Sequence, residues 1–276
     1  MRSEVTSVQK IQEVSALLTI PHSRIIAGGT TFSPDNEEEL HLIDISGLEG
    51  LDSIRQKGTR IELGPLTTLS AAADSICLKT YAPALAEAAA AADPAVRDRG
   101  TLGGNICADE IGDTAAALLA SGAKLTIRTG TDFREILIDR FWPTGGGNDL
   151  DYDEWITRIT IPVPKEPLWG DAFLRIGEWD RNGVPDAAAA CRLVLDNTGK
   201  VTSVRGGLRL GTDNIRRMFP LEKALKSRPF TEENTGKAIR AMISAMKCKT
   251  DEKTLYSFFE TLLQRAFSMA EERRAL

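Results

Sequence analysis

Two glycine segments, about seventy residues apart in the chain, most constrain its fold. Ala27-Gly28-Gly29-Thr30-Thr31 directly follows the β-branched run 24–27, and Gly100-Thr101-Leu102-Gly103-Gly104-Asn105 lies between segments 83–92 and 113–120. Glycine admits positive φ and close approach of a ligand, successive backbone amides form an anion-binding concavity, and threonine hydroxyls add donors. If both segments converge, they form a site for a dinucleotide pyrophosphate; the alternative is that each is only a tight turn. Neither matches G-x-G-x-x-G before a helix, so a Rossmann site has no support.

The apolar pattern predicts an α+β fold in which strands and helices do not alternate regularly. The alanine-rich segment 83–92 favours a helix, and 113–120 predicts a second one with Asp113 as a plausible N-cap. Strands are predicted at 24–27, 41–45, 60–63, 123–128 and 156–161.

A change of pattern near residue 166 predicts a domain boundary, because three prolines fall within residues 162–167. We expect a first domain over 1–166, with subdomains of about 1–55 and 56–166, and a smaller α+β domain over 167–276. Asn197-Thr198-Gly199 between apolar runs indicates a hairpin. Apolar residues at helical spacing then predict helices through 238–246 and 255–266.

Composition excludes several classes of function. The 276 residues carry a net charge of −5, which argues against nucleic acid as a partner because phosphate binding needs a clustered basic surface. No run of about eighteen apolar residues predicts a membrane span, and the polar N-terminus favours a cytoplasmic protein. Four scattered cysteines and two histidines suggest no metal site, and no catalytic acid or base is recognisable.

Six motifs in order resemble the FAD-binding medium subunit of the molybdenum hydroxylases, the family that includes xanthine dehydrogenase and carbon monoxide dehydrogenase. The resemblance is strong over 24–128, weaker over 134–180, and rests on length and the helical ending beyond that. It implies a PCMH-type FAD-binding domain of two α+β subdomains, followed by a C-terminal domain of the carbon monoxide dehydrogenase flavoprotein type, with an antiparallel sheet and helices. The motifs are Ala27–Thr30, Leu42–Ile45, Leu63–Thr68, Ala82–Leu85, Val96–Asn105 and Asp113–Leu119.

The resemblance implies that FAD is bound noncovalently and assigns its contacts by matching positions. Asp113 matches an aspartate that contacts the nucleotide, Leu150 matches a leucine near the flavin ring, and Arg175 stands where the family usually has lysine. A surface role for Arg175 and a redox or covalent role for Cys107 remain alternatives. The implied set is Ile25, Ile26, Ala27, Gly28, Gly29, Thr30, Thr31, Thr101, Gly103, Gly104, Asn105, Asp113, Leu150 and Arg175.

The implied function is electron transfer within a heteromeric, xanthine dehydrogenase-like complex. A large subunit would hold a molybdenum-pterin cofactor and a small subunit two 2Fe–2S clusters, and electrons would pass through FAD to NAD, oxygen or a quinone. Two departures from the family bear on this: Asp109 and Glu110 place carboxylates near the pyrophosphate, and Thr144–Asn148 replaces a stretch near the flavin. Two alternatives therefore stay open, an assembly subunit that has lost FAD and a stand-alone flavin oxidoreductase.

Overall fold

The computed structural model describes residues 4–30, 40–108, 112–143, 147–177, 187–210, 214–246 and 251–274. Helices and strands mix without regular alternation, which confirms the predicted α+β class. The helices are α1 Ile11–Leu18, α2 Leu69–Asp74, α3 Ile76–Tyr81, α4 Pro83–Ala90, α5 Pro94–Arg97, α6 Leu102–Cys107, α7 Thr114–Ser121, α8 Phe219–Leu225, α9 Glu232–Ala245 and α10 Glu252–Glu272. The strands are β1 Glu4–Ser7, β2 Ser23–Ile26, β3 His41–Asp44, β4 Ile54–Lys57, β5 Arg60–Leu63, β6 Lys124–Thr129, β7 Asp132–Leu137, β8 Glu154–Pro162, β9 Trp169–Ile176, β10 Ala187–Leu195, β11 Val201–Leu210 and β12 Asn214–Arg217.

The first sheet is parallel, with strand order β1-β3-β2. Its register pairs Glu4 with His41 and Ser23 with His41, so β3 lies in the middle. Val14 of α1 and Ile43 of β3 are buried in one small core that also includes Trp155 of β8. Trp155 thereby joins this sheet to the next, and its indole Nε1 donates to Ser15 Oγ at 3.4 Å.

The second sheet is antiparallel, in the order β4-β5-β8-β6-β7. Its inner face and helices α2, α3, α4, α6 and α7 enclose the largest apolar core. All eight residues of α7 are buried, because small alanines allow the helix to pack on every side. The predicted helices at 83–92 and 113–120 are therefore confirmed as α4 and α7, within two residues at their ends.

The third sheet is antiparallel, in the order β12-β11-β10-β9, and it contains the predicted hairpin around Asn197–Gly199. Side chains alternate between the two faces of a strand. Ala188 and Ala190 therefore pack into the largest core beside α7, whereas Ala187 and Ala189 pack into a separate core with α8, α9 and α10. The boundary proposed near residue 166 stays a prediction. Among the described helices, none combines the length and apolarity needed to span a membrane.

Candidate cofactor site

The first glycine segment begins where β2 ends, with half-buried Ala27 and Gly28 followed by exposed Gly29 and Thr30. Gly29 has a φ of +64°, the left-handed conformation that glycine adopts without strain. Within the described part of the chain, the backbone amides of Gly28, Gly29 and Thr30 donate no hydrogen bond. Three successive free amides around a left-handed residue form the kind of concavity that binds anions.

The two glycine segments meet directly. A Cβ on Gly28 would lie 1.7 Å from the carbonyl oxygen of Arg99, so only glycine fits at this position. A Cβ on Gly100 would lie 3.6 Å from Thr30 Oγ1, on the opposite side of the same junction. The convergence that a shared ligand would require is therefore present in the backbone itself.

Leu102–Cys107, which includes most of the second glycine segment, forms the short helix α6, so the alternative that this segment is only a tight turn is wrong. Thr101 is the N-cap of α6 and accepts from the Gly104 amide at 3.1 Å. The amides of Leu102, Gly103 and Asn105 donate to Thr67 O, Pro65 O and Thr101 O. A Cβ on Gly103 would lie 2.9 Å from Pro65 O, so this glycine permits close backbone packing. The amides of residues 102–105 thus already donate hydrogen bonds within the chain. The Thr101 hydroxyl and the Asn105 side chain remain as donors for a ligand.

Asn105 connects the second glycine segment to the start of α7. Its Oδ1 accepts from Thr114 Oγ1, and its backbone oxygen accepts from the Gly112 amide at 2.9 Å. A Cβ on Gly112 would overlap the Asn105 carboxamide, at 1.9 Å from Nδ2. The position of Asn105 is therefore set by three contacts, and within the described residues its Nδ2 donates no hydrogen bond.

Asp113 occupies the predicted N-cap position of α7, but its side chain makes no capping hydrogen bond. Arg209 of β11 donates to Asp113 Oδ1 at 2.6 Å, and Arg175 Nη1 lies 3.6 Å from Oδ2. Arg175 also donates to Ala91 O at 2.7 Å and is only 20% exposed at its side chain, which rules out a purely surface role. Asp113 Oδ2 is buried without a hydrogen-bond donor. Two cations hold one carboxylate here and leave one oxygen able to accept.

Leu150 is half-buried against the largest core, in a loop that an ion cluster holds in place. Arg134 donates to both oxygens of Glu154, at 2.8 and 2.7 Å, and to Asp149 Oδ2 at 2.9 Å. The Asp151 amide donates to Glu154 Oε2 at 3.0 Å, which closes the loop. The hydrogen bonds from Arg134 lower the pKa of Glu154 and keep this carboxylate ionised.

Four residues named in the sequence analysis, Thr31, Asp109, Glu110 and Thr144, lie outside the described residues. Cys107 lies at the end of α6, and burial raises the pKa of its thiol to about 12. A neutral thiol is a poor nucleophile, which disfavours a covalent or redox role. In the described ranges, no three His, Cys, Asp or Glu side chains are grouped closely enough to hold a metal ion.

Reasoning from the sequence missed two arginines beside the assigned positions. The exposed side chain of Arg99 reaches the first glycine segment, where its Nη2 lies 3.5 Å from the position of a Cβ on Gly29. Arg209 is 2% exposed in β11. A charge next to the apolar residues 208 and 210 of the predicted hairpin was the available signal for Arg209, because buried charges need partners. Arg99 carried no such signal, because an arginine after a short helix is ordinary.

The class of this protein follows from the comparison with protein families. The model for the FAD binding domain in molybdopterin dehydrogenase matches residues 1–164, which is more than half of the chain. The chain therefore belongs to the family of FAD-binding medium subunits of molybdenum hydroxylases. It is an oxidoreductase subunit, and FAD is its cofactor.

Particular relatives agree with this class. The medium chain of carbon monoxide dehydrogenase from Hydrogenophaga pseudoflava is 28% identical over 255 residues, covering 88% of this chain and 85% of that protein. The xanthine dehydrogenase FAD-binding subunit of Escherichia coli O157:H7 is 29% identical over 192 residues, covering 67% of this chain and 65% of that subunit. A solved structure of the Hydrogenophaga pseudoflava carbon monoxide dehydrogenase lacking the Mo-pyranopterin moiety matches with a TM-score of 0.85 and 26% identity, over 99% of this chain and 98% of that one.

Proposed function

We propose that this chain binds FAD between its two glycine segments and passes electrons from the 2Fe–2S clusters of a partner subunit to NAD, oxygen or a quinone. The observation that carries the proposal is the contact between Gly28 and the Arg99 carbonyl, with three free amides beside it. A pyrophosphate needs several donors converging on one concave surface, and this junction provides them.

The residues present fit the cofactor group by group. The amides of Gly28, Gly29 and Thr30 would donate to the pyrophosphate, with Thr101 and Asn105 adding side-chain donors from the second segment. Ile25 and Ile26 lie at the end of β2, and Ala27 follows them at the start of the first glycine segment. Thr31, which the family resemblance adds to this set, lies outside the described residues.

Three further residues would act on the rest of the cofactor. Asp113 Oδ2 is a buried acceptor without a donor, which suits a hydroxyl of the nucleotide. Arg175 lies beside this carboxylate, and Leu150 would lie against the flavin ring. The flavin itself supplies the reversible electron transfer when it is bound, and the protein orients it. The proposal gives no residue of this chain the role of general acid or base.

The partners follow from the relatives, which are named as a medium chain or an FAD-binding subunit of larger dehydrogenases. We propose a large subunit with a molybdenum-pterin cofactor and a small subunit with 2Fe–2S clusters as the partners of this chain. A stand-alone flavin oxidoreductase would need a substrate pocket with its own acid or base. In a subunit that has lost FAD, the free amides of Gly28, Gly29 and Thr30 and the acceptor Asp113 Oδ2 would have no ligand to bind.

The first test is the visible spectrum of the purified chain, before and after FAD is added and the sample desalted. We expect flavin absorption to survive desalting, and we expect Gly104→Asp to abolish it by placing a carboxylate beside Thr101 and the pyrophosphate. Gly58→Asp in the β4–β5 turn is the matched control, because a Cβ there meets nothing within 4 Å. Full retention of flavin by Gly104→Asp would contradict the assigned pocket.

The second test addresses electron flow. The chain is co-purified with its partner subunits, and flavin bleaching is followed anaerobically after the complex is given a substrate. Bleaching that requires the 2Fe–2S subunit supports electron transfer through this chain. Bleaching by substrate with this chain alone would identify a stand-alone oxidoreductase, and a colourless chain in an otherwise active complex would identify an assembly subunit.

A further inference from the structure

We infer that Arg99 is a cofactor-binding residue whose guanidinium pairs with the pyrophosphate and makes the site prefer FAD to flavins that lack phosphate. The inference rests on the proposed function, because it needs the pyrophosphate to lie between the two glycine segments. None of the positions assigned through the family resemblance includes Arg99.

The position of Arg99 is fixed by its backbone. Its amide donates to Val96 O at 3.2 Å, at the end of α5, and its carbonyl oxygen packs against Gly28. The next residue, Gly100, is buried and accepts from the Leu69 amide at 2.8 Å. The side chain therefore starts from a rigid point and extends over Gly29, where Nη2 lies 3.5 Å from the position of a Cβ.

The guanidinium is available for a ligand. Among the described residues, the Arg99 guanidinium makes no hydrogen bond and no ion pair, although it lies beside the three free amides of Gly28, Gly29 and Thr30. The neighbouring carboxylate of Asp98 instead accepts from Ser70 Oγ. Arg97, two residues earlier, is occupied in a different way, because its Nη1 donates to Ala90 O at 3.2 Å. Arg99 is thus the side chain of this segment that presents an unused cation to the first glycine segment.

The charge balance of the site explains why a cation at this position would strengthen binding of the pyrophosphate. A pyrophosphate in FAD carries two negative charges, and the amides of residues 102–105 are already used within the chain. The remaining donors are neutral amides, one hydroxyl and one carboxamide. A guanidinium adds a full charge and a planar set of donors that matches phosphate oxygens. The Arg175 and Arg209 cations lie instead at the Asp113 carboxylate.

The test compares FAD with riboflavin, which has the same ring but no phosphate. Dissociation constants for both are measured by quenching of flavin fluorescence with the full-length chain, its Arg99→Gln and Arg99→Lys variants, and Arg55→Gln. Arg55 is an exposed arginine on β4 and serves as the matched control for loss of one positive charge. We expect Arg99→Gln to weaken FAD binding by about tenfold to a hundredfold, with riboflavin affinity unchanged. Arg99→Lys should recover part of the loss.

Ionic strength supplies a second measurement, because a charge pair near the surface is screened by salt. FAD affinity of the unsubstituted chain should fall with added salt more steeply than that of Arg99→Gln. An equal loss for FAD and riboflavin would show that Arg99 only supports the fold, and unchanged FAD affinity in Arg99→Gln would also overturn the inference. If the unsubstituted chain itself binds no FAD, the proposed function fails first, so the two failures are distinguishable.

Discussion

Arg209 and Asp113, which are 96 positions apart, form a buried ion pair in which Nε and Nη2 donate to Oδ1 at 2.9 and 2.6 Å. Their side chains are only 3% and 6% exposed. The pair joins the start of α7 to β11 of the third sheet. It therefore connects the region that follows the second glycine segment to the C-terminal part of the chain.

Arg209→Leu is expected to lower the free energy of unfolding by about 3 kcal/mol, because it removes one partner of a buried pair and leaves the Asp113 carboxylate poorly compensated. Urea denaturation followed by circular dichroism measures the difference. Arg55→Gln is the exposed control and should change stability by no more than about 0.5 kcal/mol. A similarly small effect for Arg209→Leu would show that Arg175 alone satisfies Asp113.

Gly28→Ala is expected to abolish FAD binding, since the new Cβ would lie 1.7 Å from the Arg99 carbonyl and force the glycine segments apart. Gly58→Ala provides the comparison: its φ is +58° and nothing lies within 4 Å, so it should cost only about 1 kcal/mol of strain and leave FAD affinity unchanged. FAD retention after desalting and thermal unfolding are measured together. Gly28→Ala with native FAD affinity would argue that the segments need not touch.

The ion cluster at Glu154 is expected to stabilise the protein at neutral pH and to lose its effect in acid. Arg134 lowers the pKa of Glu154 below its unfolded value of about 4.3, so the contribution is fully present above that value and is lost as pH falls through the folded pKa. Glu154→Gln should therefore cost about 2 kcal/mol at pH 7 and progressively less below pH ~4. Urea titrations across pH, with Glu49→Gln as an exposed control, measure this. A pH-independent cost would assign the effect to packing.

FAD is expected to be bound without a covalent bond to Cys107, because burial raises the pKa of this thiol to about 12 and leaves it protonated at neutral pH. Precipitation with trichloroacetic acid should release all of the flavin into the supernatant. Cys107→Ala should retain FAD after desalting. Yellow colour that remains in the acid pellet, and disappears in Cys107→Ala, would establish the opposite.

Local sequence pattern predicted several elements well. Alanine content predicted α4 and α7, and a turn motif between apolar runs predicted the β10–β11 hairpin, because these signals act over a few neighbouring residues. The prediction missed β4 and β7, the two edge strands of the second sheet, each of which pairs with the neighbouring strand in the chain. None of their residues is buried, so they lack the alternation of buried apolar and exposed polar residues that marks a half-buried strand. It also did not predict α6 and left a tight turn open as the alternative there, because the cap at Thr101 becomes effective only where Pro65 and Thr67 receive the amides.

The sequence by itself determined which residues are assigned to the proposed cofactor site, because glycines, a threonine, an asparagine and an aspartate in ordered motifs are read directly from the chain. Only the tertiary structure decided how they act. Packing places Gly28 against the Arg99 carbonyl and pairs the amides of the second glycine segment with acceptors within the chain. It also pairs the Asp113 side chain with Arg209. The contacts of Gly28 with Arg99, of the second segment with Pro65 and Thr67, and of Asp113 with Arg209 join residues about 35 to 100 positions apart. They therefore depend on how the sheets and helices pack and not on any local conformational preference.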